Sequence, residues 1–341
     1  CSSVDFSWHP SDGVPKVRGV ALFVQPQEVF DKIMGTNVRS TWQLCQMVLP
    51  GMADNGGGAV VLLSSIMNYG IRQSGFDTIH IGYLPSYAAT AWYHNRVPGG
   101  RPASLEAFVE EAREFANGPY ATALLKGSDI TPQETDEIAR QLNRYTGLSV
   151  DYLKRANLRV NLSRFRKELL RDEHATLGRF DSRYTGIDAD TAGEEPEYDP
   201  SSTGITGLYV GSFLDQVTRQ IGYKTDLSYR LSAREGGDFK WDWSHQPPEG
   251  GKQNVADVTA DLSAAMRTNP HLRVLSLNGY YDMATPFFST ERDLKHMMLE
   301  PQLRQNLQFR YYPAGHMVYL NPEALHQMRL DMERYYAEGA R

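Results

Sequence analysis

The chain has 341 residues, of which 41% are hydrophobic and 22% are charged, a mixture that excludes a wholly disordered protein or a fibre. Its formal net charge of -6 gives no general attraction to nucleic acid or to anionic lipid. Two cysteines exclude a disulfide-rich scaffold and a thiolate zinc cluster, and no stretch approaches the roughly 18 to 20 uncharged apolar residues of a membrane helix.

The first 63 residues contain one helix pattern and one strand pattern. Residues 28–49 carry apolar side chains at helical spacing, which predicts a helix that buries Cys45 as a small apolar side chain. Residues 59–63 form a short, wholly apolar run, which is typical of a strand buried on both faces of a parallel sheet. The first residue is Cys1, and we expect it to be a cut end of a longer sequence rather than a lipidated cysteine.

The middle of the chain has a mainly helical pattern. We predict a loop followed by a short helix over residues 76–98, and helices across residues 103–171, one of them beginning near Leu105. Basic residues cluster at 155–171, and acidic residues follow at 188–199. Because opposite charges lie so close along the chain, we interpret them as solvated or mutually paired faces rather than as a nucleic-acid site.

The last third of the chain predicts a return to sheet structure. Residues 191–206 and 233–252 are rich in glycine, proline, serine and acids, which predicts loops. Beyond them, residues 272–277 and 307–312 have the patterns of strands, and residues 322–336 that of a closing helix. Strands and helices that alternate at both ends of the chain indicate an α/β sheet, with the helical middle as an insertion.

Two motifs follow the last two predicted strands. One strand runs into Gly279 and then Asp282, and the other into Gly315 and His316. Reactive groups gather outside the carboxyl ends of strands in open parallel sheets, so this aspartate and histidine can meet there. The aspartate would orient the imidazole while the histidine acts as a base. The same spacing also fits a turn aspartate and a surface histidine, and spacing alone does not choose between the two.

Further motifs accompany those of Asp282 and His316: Val61-Leu62-Leu63-Ser64-Ser65-Ile66-Met67-Asn68-Tyr69, Tyr83-Leu84-Pro85-Ser86-Tyr87-Ala88-Ala89-Thr90-Ala91-Trp92-Tyr93-His94 and Gly178-Arg179-Phe180-Asp181-Ser182-Arg183-Tyr184-Thr185-Gly186. Through them, residues 60–341 resemble the serine carboxypeptidase family, particularly its bacterial members. The resemblance implies an α/β-hydrolase fold with an inserted helical cap, a peptide or small acyl substrate, no cofactor and an extracytoplasmic location. It also implies Asp282 and His316 as members of a catalytic triad, with Met317 lining the pocket for the leaving residue.

The chain departs from this family at the nucleophile, which is therefore unknown. The family carries its serine in a Gly-Glu-Ser-Tyr-Gly turn, but no Gly-x-Ser-x-Gly occurs in the 341 residues. The family's Asn-Gly-Gly-Pro-Gly segment, which supplies an oxyanion donor and an asparagine for the substrate carboxylate, is also absent. Ser64 and Ser65 follow a predicted strand, but no tight glycine turn flanks either of them.

A second set of motifs lies nearer the start: Phe30-Asp31-Lys32-Ile33-Met34-Gly35-Thr36-Asn37-Val38-Arg39, Pro50-Gly51-Met52 and Gly56-Gly57-Gly58-Ala59-Val60-Val61. Through these, residues 28–66 resemble the short-chain dehydrogenases, with Asn37 matching the active-site asparagine and Ser65 in the place of the serine. The family's glycine-rich cofactor turn is missing from residues 1–28. Its Tyr-x-x-x-Lys is missing too, because Tyr87 is followed four positions later by an alanine, which cannot lower a tyrosine pKa as a lysine can. Either a recombined gene or the joining of two separate sequences during genome assembly explains the two resemblances.

Metal chemistry is not predicted. The nine histidines include no His-Glu-x-x-His, and we interpret His80 and His94 as hydrogen-bonded structural groups rather than as metal ligands. Asn161 opens a lone Asn-x-Ser glycosylation motif, which arises easily by chance.

The combined prediction is an α/β-hydrolase-like fold with a mostly parallel sheet and a helical cap, the sheet being incomplete on its N-terminal side. The divisions are a dehydrogenase-like segment at 1–59, a hydrolase core at 60–99 and 253–341, and the helical cap at 100–252. We expect an exposed sheet edge near residues 60–63, through which chains associate. The predicted function is a serine carboxypeptidase-like hydrolase, impaired by the missing nucleophile. The alternatives are a non-catalytic hydrolase-like binding domain and an NAD(P)-dependent oxidoreductase.

Overall fold

The computed structural model describes five parts of the chain: residues 5–7, 16–18, 77–226, 242–254 and 257–339. The chain divides into two compact units. The smaller unit contains strands β1 (Asp5–Ser7) and β2 (Lys16–Arg18), which pair in antiparallel fashion, and an isolated bridge between His245 and Gln253. The larger unit contains all the other helices and strands of the described residues and is the subject of the following paragraphs.

Eleven α-helices are described in the larger unit: α1 (Thr78–Tyr93), α2 (Leu105–Phe115), α3 (Ala121–Leu125), α4 (Pro132–Thr146), α5 (Val150–Arg155), α6 (Leu162–Glu168), α7 (Pro200–Asp215), α8 (Thr259–Thr268), α9 (Phe287–Lys295), α10 (Pro301–Arg304) and α11 (Pro322–Gly339). Local signals start several of them. Before α4, the Thr131 hydroxyl accepts the N–H of Glu134, whose carboxylate accepts the N–H of Thr131 in return. Before α6, Asn161 Oδ1 accepts the N–H of Arg164. The asparagine of the glycosylation motif is thus a helix cap.

None of the helices in the described ranges combines the length and the apolar character that crossing a membrane requires. The charges of the helical middle are largely paired with one another. Arg164 Nε lies 2.6 Å from Glu194 Oε2, and Lys167 Nζ lies 2.6 Å from Asp188 Oδ1. The interpretation of residues 155–171 as paired with the acidic run is thereby confirmed for these two basic residues, whereas Arg159 pairs with Asp77, which lies outside that run.

Helix α1 occupies the main hydrophobic core, where it packs against α2, α4 and α9. Its side chains are buried on nearly every side, including Leu84 and Tyr87. Small residues allow α1 and α9 to approach each other closely. A Cβ added at Gly82 of α1 would lie 2.0 Å from Ser289 Oγ of α9. The helix predicted within residues 76–98 is present, but the prediction that it is short and preceded by a loop was wrong, since it spans Thr78–Tyr93. A helix buried all round has no polar face, so the periodicity that identifies an amphipathic helix is missing.

A second correction concerns residues 191–206, which were predicted to be a loop. Helix α7 begins within this range, at Pro200. The Asp199 side chain caps the helix by accepting the N–H of Ser201 at 3.0 Å, and proline is well suited to the first helical turn. An Asp-Pro start signal was therefore present, but the surrounding glycine, serine and acidic residues outweighed it in the prediction.

In the larger unit, the described residues form four strands: β3 (Ala175–Leu177), β4 (Thr185–Ile187), β5 (Val274–Gly279) and β6 (Leu307–Tyr312). β3 and β4 form an antiparallel hairpin, whereas β5 and β6 are parallel. In the parallel pair Val274 lies opposite Leu307 and Gly279 opposite Tyr312. The chain between them passes through α9 and α10, the helical crossover that parallel strands need.

These elements make the larger unit a mixed α/β structure, which is the broad fold class that was predicted. The sheets that the structure describes are small, with two strands each. A complete hydrolase sheet and its cap therefore stay predictions. The predicted helix at 28–49, the strand at 59–63 and the exposed edge lie outside the described residues.

Candidate active site

The carboxyl ends of β5 and β6 lie side by side because the strands are parallel and in register. Hydrogen bonding between the two segments continues past the strands, where the N–H of Tyr281 donates to the carbonyl of Ala314 at 3.0 Å. The two loops that follow therefore run next to each other and bring Asp282 to His316. The prediction that these two side chains meet is confirmed.

Asp282 is held by its own turn. It is buried, with 5% of its surface exposed. Its Oδ1 accepts the N–H of Ala284 at 2.7 Å and the N–H of Thr285 at 2.9 Å, and its Oδ2 accepts the hydroxyl of Thr285 at 2.7 Å. An aspartate that accepts backbone N–H groups two and three residues ahead is fixed by local geometry. The carboxylate orientation is therefore set before any contact with the histidine.

His316 faces this carboxylate through one ring nitrogen. Its Nδ1 lies 2.9 Å from Asp282 Oδ2 and 3.1 Å from Thr285 Oγ1. With Nδ1 as the donor to the carboxylate, the neutral ring carries its free electron pair on Nε2. Nε2 has no hydrogen-bond partner among the residues that the structure describes. The imidazole side chain is 20% exposed. Within the described residues, Nε2 is therefore the ring nitrogen that can take a proton from an incoming group.

A cavity of about 400 Å³ is lined by Met317, the residue that follows His316, although neither His316 nor Asp282 is part of its lining. It is lined mainly by aromatic and aliphatic side chains, with a few polar groups: Tyr93, Phe180, Asp181, Arg183, Tyr184, Ser201, Ile205, Met317, Leu320, Asn321 and Pro322. Met317, predicted to line a substrate pocket, is one of them. The charges of Asp181 and Arg183 are paired with each other at 2.6 Å. The cavity is therefore suited to an uncharged, apolar group of moderate size.

The two serines considered as nucleophiles, Ser64 and Ser65, lie outside the described residues, as does Asn37 of the dehydrogenase resemblance. Among the residues that are described, no serine or threonine hydroxyl is hydrogen-bonded to Nε2 of His316. The structure thus provides an aspartate, a histidine and a neighbouring cavity, while the nucleophile stays unknown.

Tyr87 is not arranged for proton transfer. It is 3% exposed, its ring stacks on Phe165 with 3.9 Å between centroids, and its hydroxyl donates to the carbonyl of Val160 at 3.5 Å. Burial raises the pKa of Tyr87 well above its usual value. A dehydrogenase tyrosine needs a lowered pKa, so Tyr87 is a core residue.

The histidines that were interpreted as structural are both hydrogen-bonded. His80 Nδ1 lies 3.3 Å from the carbonyl of Val160, and His94 Nε2 lies 2.8 Å from the carbonyl of Ser182. Burial lowers the pKa of each, which favours the neutral ring. In the described parts of the chain, no group of three or more histidine, cysteine, aspartate or glutamate residues is placed to hold a metal ion.

Two features of the site were missed in the sequence. Thr285 contacts both Asp282 and His316, and an Asp-x-x-Thr spacing that favours such a turn was present. The loop between β3 and β4, residues 178–184, packs against His316 from more than 130 positions earlier in the chain. Its motif was recognised, but no local signal indicates its contact with the strand ends.

Comparison with known proteins gives one partial similarity. A 49-residue part of this chain is 50% identical to dehydrogenase/reductase SDR family member 4 from Bos taurus. The match covers 14% of this chain and 18% of the bovine protein. No protein-family model and no solved structure matches the chain. The similarity bears on the predicted dehydrogenase-like segment, whereas the carboxypeptidase resemblance stays a prediction.

Proposed function

We propose that residues 60–341 derive from a serine carboxypeptidase-like hydrolase and retain its acid–base pair. The observation that carries this proposal is the 2.9 Å hydrogen bond from His316 Nδ1 to Asp282 Oδ2 at the ends of two parallel strands. His316 acts as general base and then as general acid. Asp282 orients the ring and stabilises the imidazolium form.

The chemistry follows from Nε2 of His316, to which no described residue is hydrogen-bonded. A hydroxyl oxygen attacks the substrate carbonyl while Nε2 of His316 takes its proton. The same proton then passes to the leaving nitrogen or oxygen as its bond to the carbonyl carbon breaks. In the carboxypeptidases that this chain resembles, the first hydroxyl belongs to a serine. Since the 341 residues lack the serine turn, we propose that water is the attacking group here and that turnover is slow.

The substrate class follows from the cavity. Phe180, Ile205 and Met317 offer apolar surface, and the Asp181–Arg183 pair adds no net charge. We therefore propose a peptide or small acyl substrate with an apolar side chain next to the reacting carbonyl.

The test is hydrolysis of a p-nitrophenyl ester with an apolar acyl group. We expect slow hydrolysis that falls about tenfold or more in His316→Gln and in Asp282→Asn, because a positioned base contributes roughly 10²–10⁴ to such rates. His326→Gln is the matched control, since His326 is exposed on α11 and should leave the rate unchanged. A fluorophosphonate probe, applied in parallel, reports a nucleophilic serine.

The combined outcomes separate the hypotheses. Ester hydrolysis that requires His316 without probe labelling supports the base pair acting on water. Labelling that requires His316 identifies a serine nucleophile within the chain. If a folded sample shows neither, the hydrolase proposal is overturned, and the non-catalytic hydrolase-like binding domain is favoured.

A second candidate function rests on the 49-residue similarity to the bovine dehydrogenase/reductase. On this proposal the chain would use a nicotinamide cofactor. The cofactor turn is missing from residues 1–28, so we expect no heat of binding when NADH or NADPH is titrated in a calorimeter. Saturable micromolar binding would contradict that expectation and favour the oxidoreductase.

A further inference from the structure

The β3–β4 loop, residues 178–184, touches both loops that carry the Asp282–His316 pair. On the β6 side, the N–H of His316 donates to the carbonyl of Phe180 at 2.6 Å. A Cβ added at Gly315 would lie 2.4 Å from the same carbonyl oxygen, so the two segments are in tight contact. The backbone of the histidine is thus held by a distant part of the chain.

The same loop is bonded to the β5 side. The N–H of Ser182 donates to the carbonyl of Tyr281 at 3.0 Å, and the N–H of Met283 donates to the carbonyl of Arg179 at 3.0 Å. These two bonds flank Asp282 in the sequence. The β3–β4 loop therefore fixes the backbone on either side of the aspartate as well as the backbone of the histidine.

Arg183 is the side chain that joins these contacts. Its Nε and Nη2 bind the carboxylate of Asp181 at 3.0 and 2.6 Å, which holds the loop in shape. Its Nη1 donates to the carbonyl of Pro313 at 2.8 Å, in the loop that follows β6. Its guanidinium lies over the ring of Tyr281, with 5.0 Å from Cζ to the ring centroid, in the loop that follows β5. One planar cation thus bridges both strand-end loops.

We propose that Arg183 is a positioning residue, which sets the distance and angle between Asp282 and His316 without touching the substrate's reacting atoms. This inference rests on the proposed function, because it assigns Arg183 to the same acid–base pair. Its guanidinium binds Asp181 and Pro313, lies over the ring of Tyr281 and also lines the cavity, but it has no hydrogen bond to the imidazole itself. Loss of Arg183 loosens the two strand-end loops, and His316 then no longer keeps its proton on Nδ1.

The test reads the tautomer of His316 directly. Long-range ¹H–¹⁵N spectra of protein labelled at histidine show which ring nitrogen carries the proton, and His316→Gln assigns the signal. We expect an Nδ1–H ring in the wild type and a tautomer mixture in Arg183→Ala. Ester hydrolysis should fall about tenfold to a hundredfold, since small displacements of reacting groups have effects of that order. Arg183→Lys, which keeps a donor for Pro313, should restore part of the Nδ1–H tautomer and part of the ester hydrolysis.

Arg171→Ala is the matched control. Arg171 has similar exposure, 25% against 19%, and it also binds a carboxylate and a backbone carbonyl, those of Glu168 and Gly193. We expect Arg171→Ala to keep the wild-type tautomer even if it lowers the thermal midpoint as much as Arg183→Ala does. A wild-type tautomer in folded Arg183→Ala would overturn the proposal. Failure of ester hydrolysis in a wild type with the expected tautomer would instead contradict the proposed function alone.

Discussion

Replacing Lys167 with alanine is expected to lower the free energy of unfolding by about 3–5 kcal/mol, the usual effect of breaking a buried ion pair. The Lys167 side chain is fully buried, and its Nζ lies 2.6 Å from Oδ1 of Asp188, whose side chain is 1% exposed. Oδ2 of Asp188 already has no hydrogen-bond partner among the described residues. Without the ammonium group, a buried carboxylate would remain with no counter-charge.

Equilibrium unfolding in urea measures this difference. Lys126→Ala is the control, because Lys126 forms an ion pair with Glu134 at a surface where both side chains are 40% exposed, and such pairs contribute little. In the double variant Lys167→Met with Asp188→Leu, both charges are removed, and most of the lost stability should return. A Lys167→Ala protein as stable as Lys126→Ala would show that the pair does not stabilise the fold.

Gly279→Ala is expected to impair both stability and the Asp282–His316 pair. Gly279 ends β5, and a Cβ there would lie 2.3 Å from the carbonyl oxygen of Gly315 and 2.4 Å from that of Ala314. These are backbone atoms, which cannot rotate away as a side chain does. Overpacking of this kind costs about 1–3 kcal/mol. Because His316 follows Gly315 directly, displacement of this loop should also move His316 away from Asp282, and the rate of ester hydrolysis should fall.

Gly207→Ala is the control in the same assays, and its thermal midpoint is expected to change in the opposite direction. Gly207 lies exposed in α7, where an added Cβ would meet nothing within 4 Å. Alanine is favoured over glycine inside a helix by about 0.5–1 kcal/mol, so the thermal midpoint should rise slightly. If Gly279→Ala matches Gly207→Ala in midpoint and in hydrolysis, the close approach of the strand-end loops is not a requirement of the site.

The end of the chain could be predicted closely because its signals are local. Strand β6 has the predicted bounds of 307–312, and helix α11 starts at the predicted Pro322. Strand β5 runs from 274 to 279 rather than from 272 to 277. Asn278 and Gly279 have the composition of a turn, but backbone pairing with β6 keeps them in the strand. Pairing with another segment is not visible in the residues of one strand.

The candidate site was likewise predictable where its signals are local and not predictable where distant segments meet. The meeting of Asp282 and His316 follows from the rule that parallel strands end at one edge, so it was predictable from two short motifs. The contacts of Arg183 with Pro313 and Tyr281 join segments that no pattern of spacing connects. The core helix α1 was missed for a related reason, since burial on all sides removes the alternation of polar and apolar residues.

The separation of partners along the chain has a consequence for the order of folding. The hydrogen bond between Asp282 and His316 closes a loop of 34 residues, whereas that between Arg183 and Pro313 closes one of 130. A loop about four times longer costs roughly 1.2 kcal/mol more entropy to close, at about 0.6 kcal/mol for each doubling of length. The strand pair is therefore expected to associate first, with its two polar side chains near each other but loosely held. Docking of the hairpin comes later and converts this loose arrangement into a fixed one.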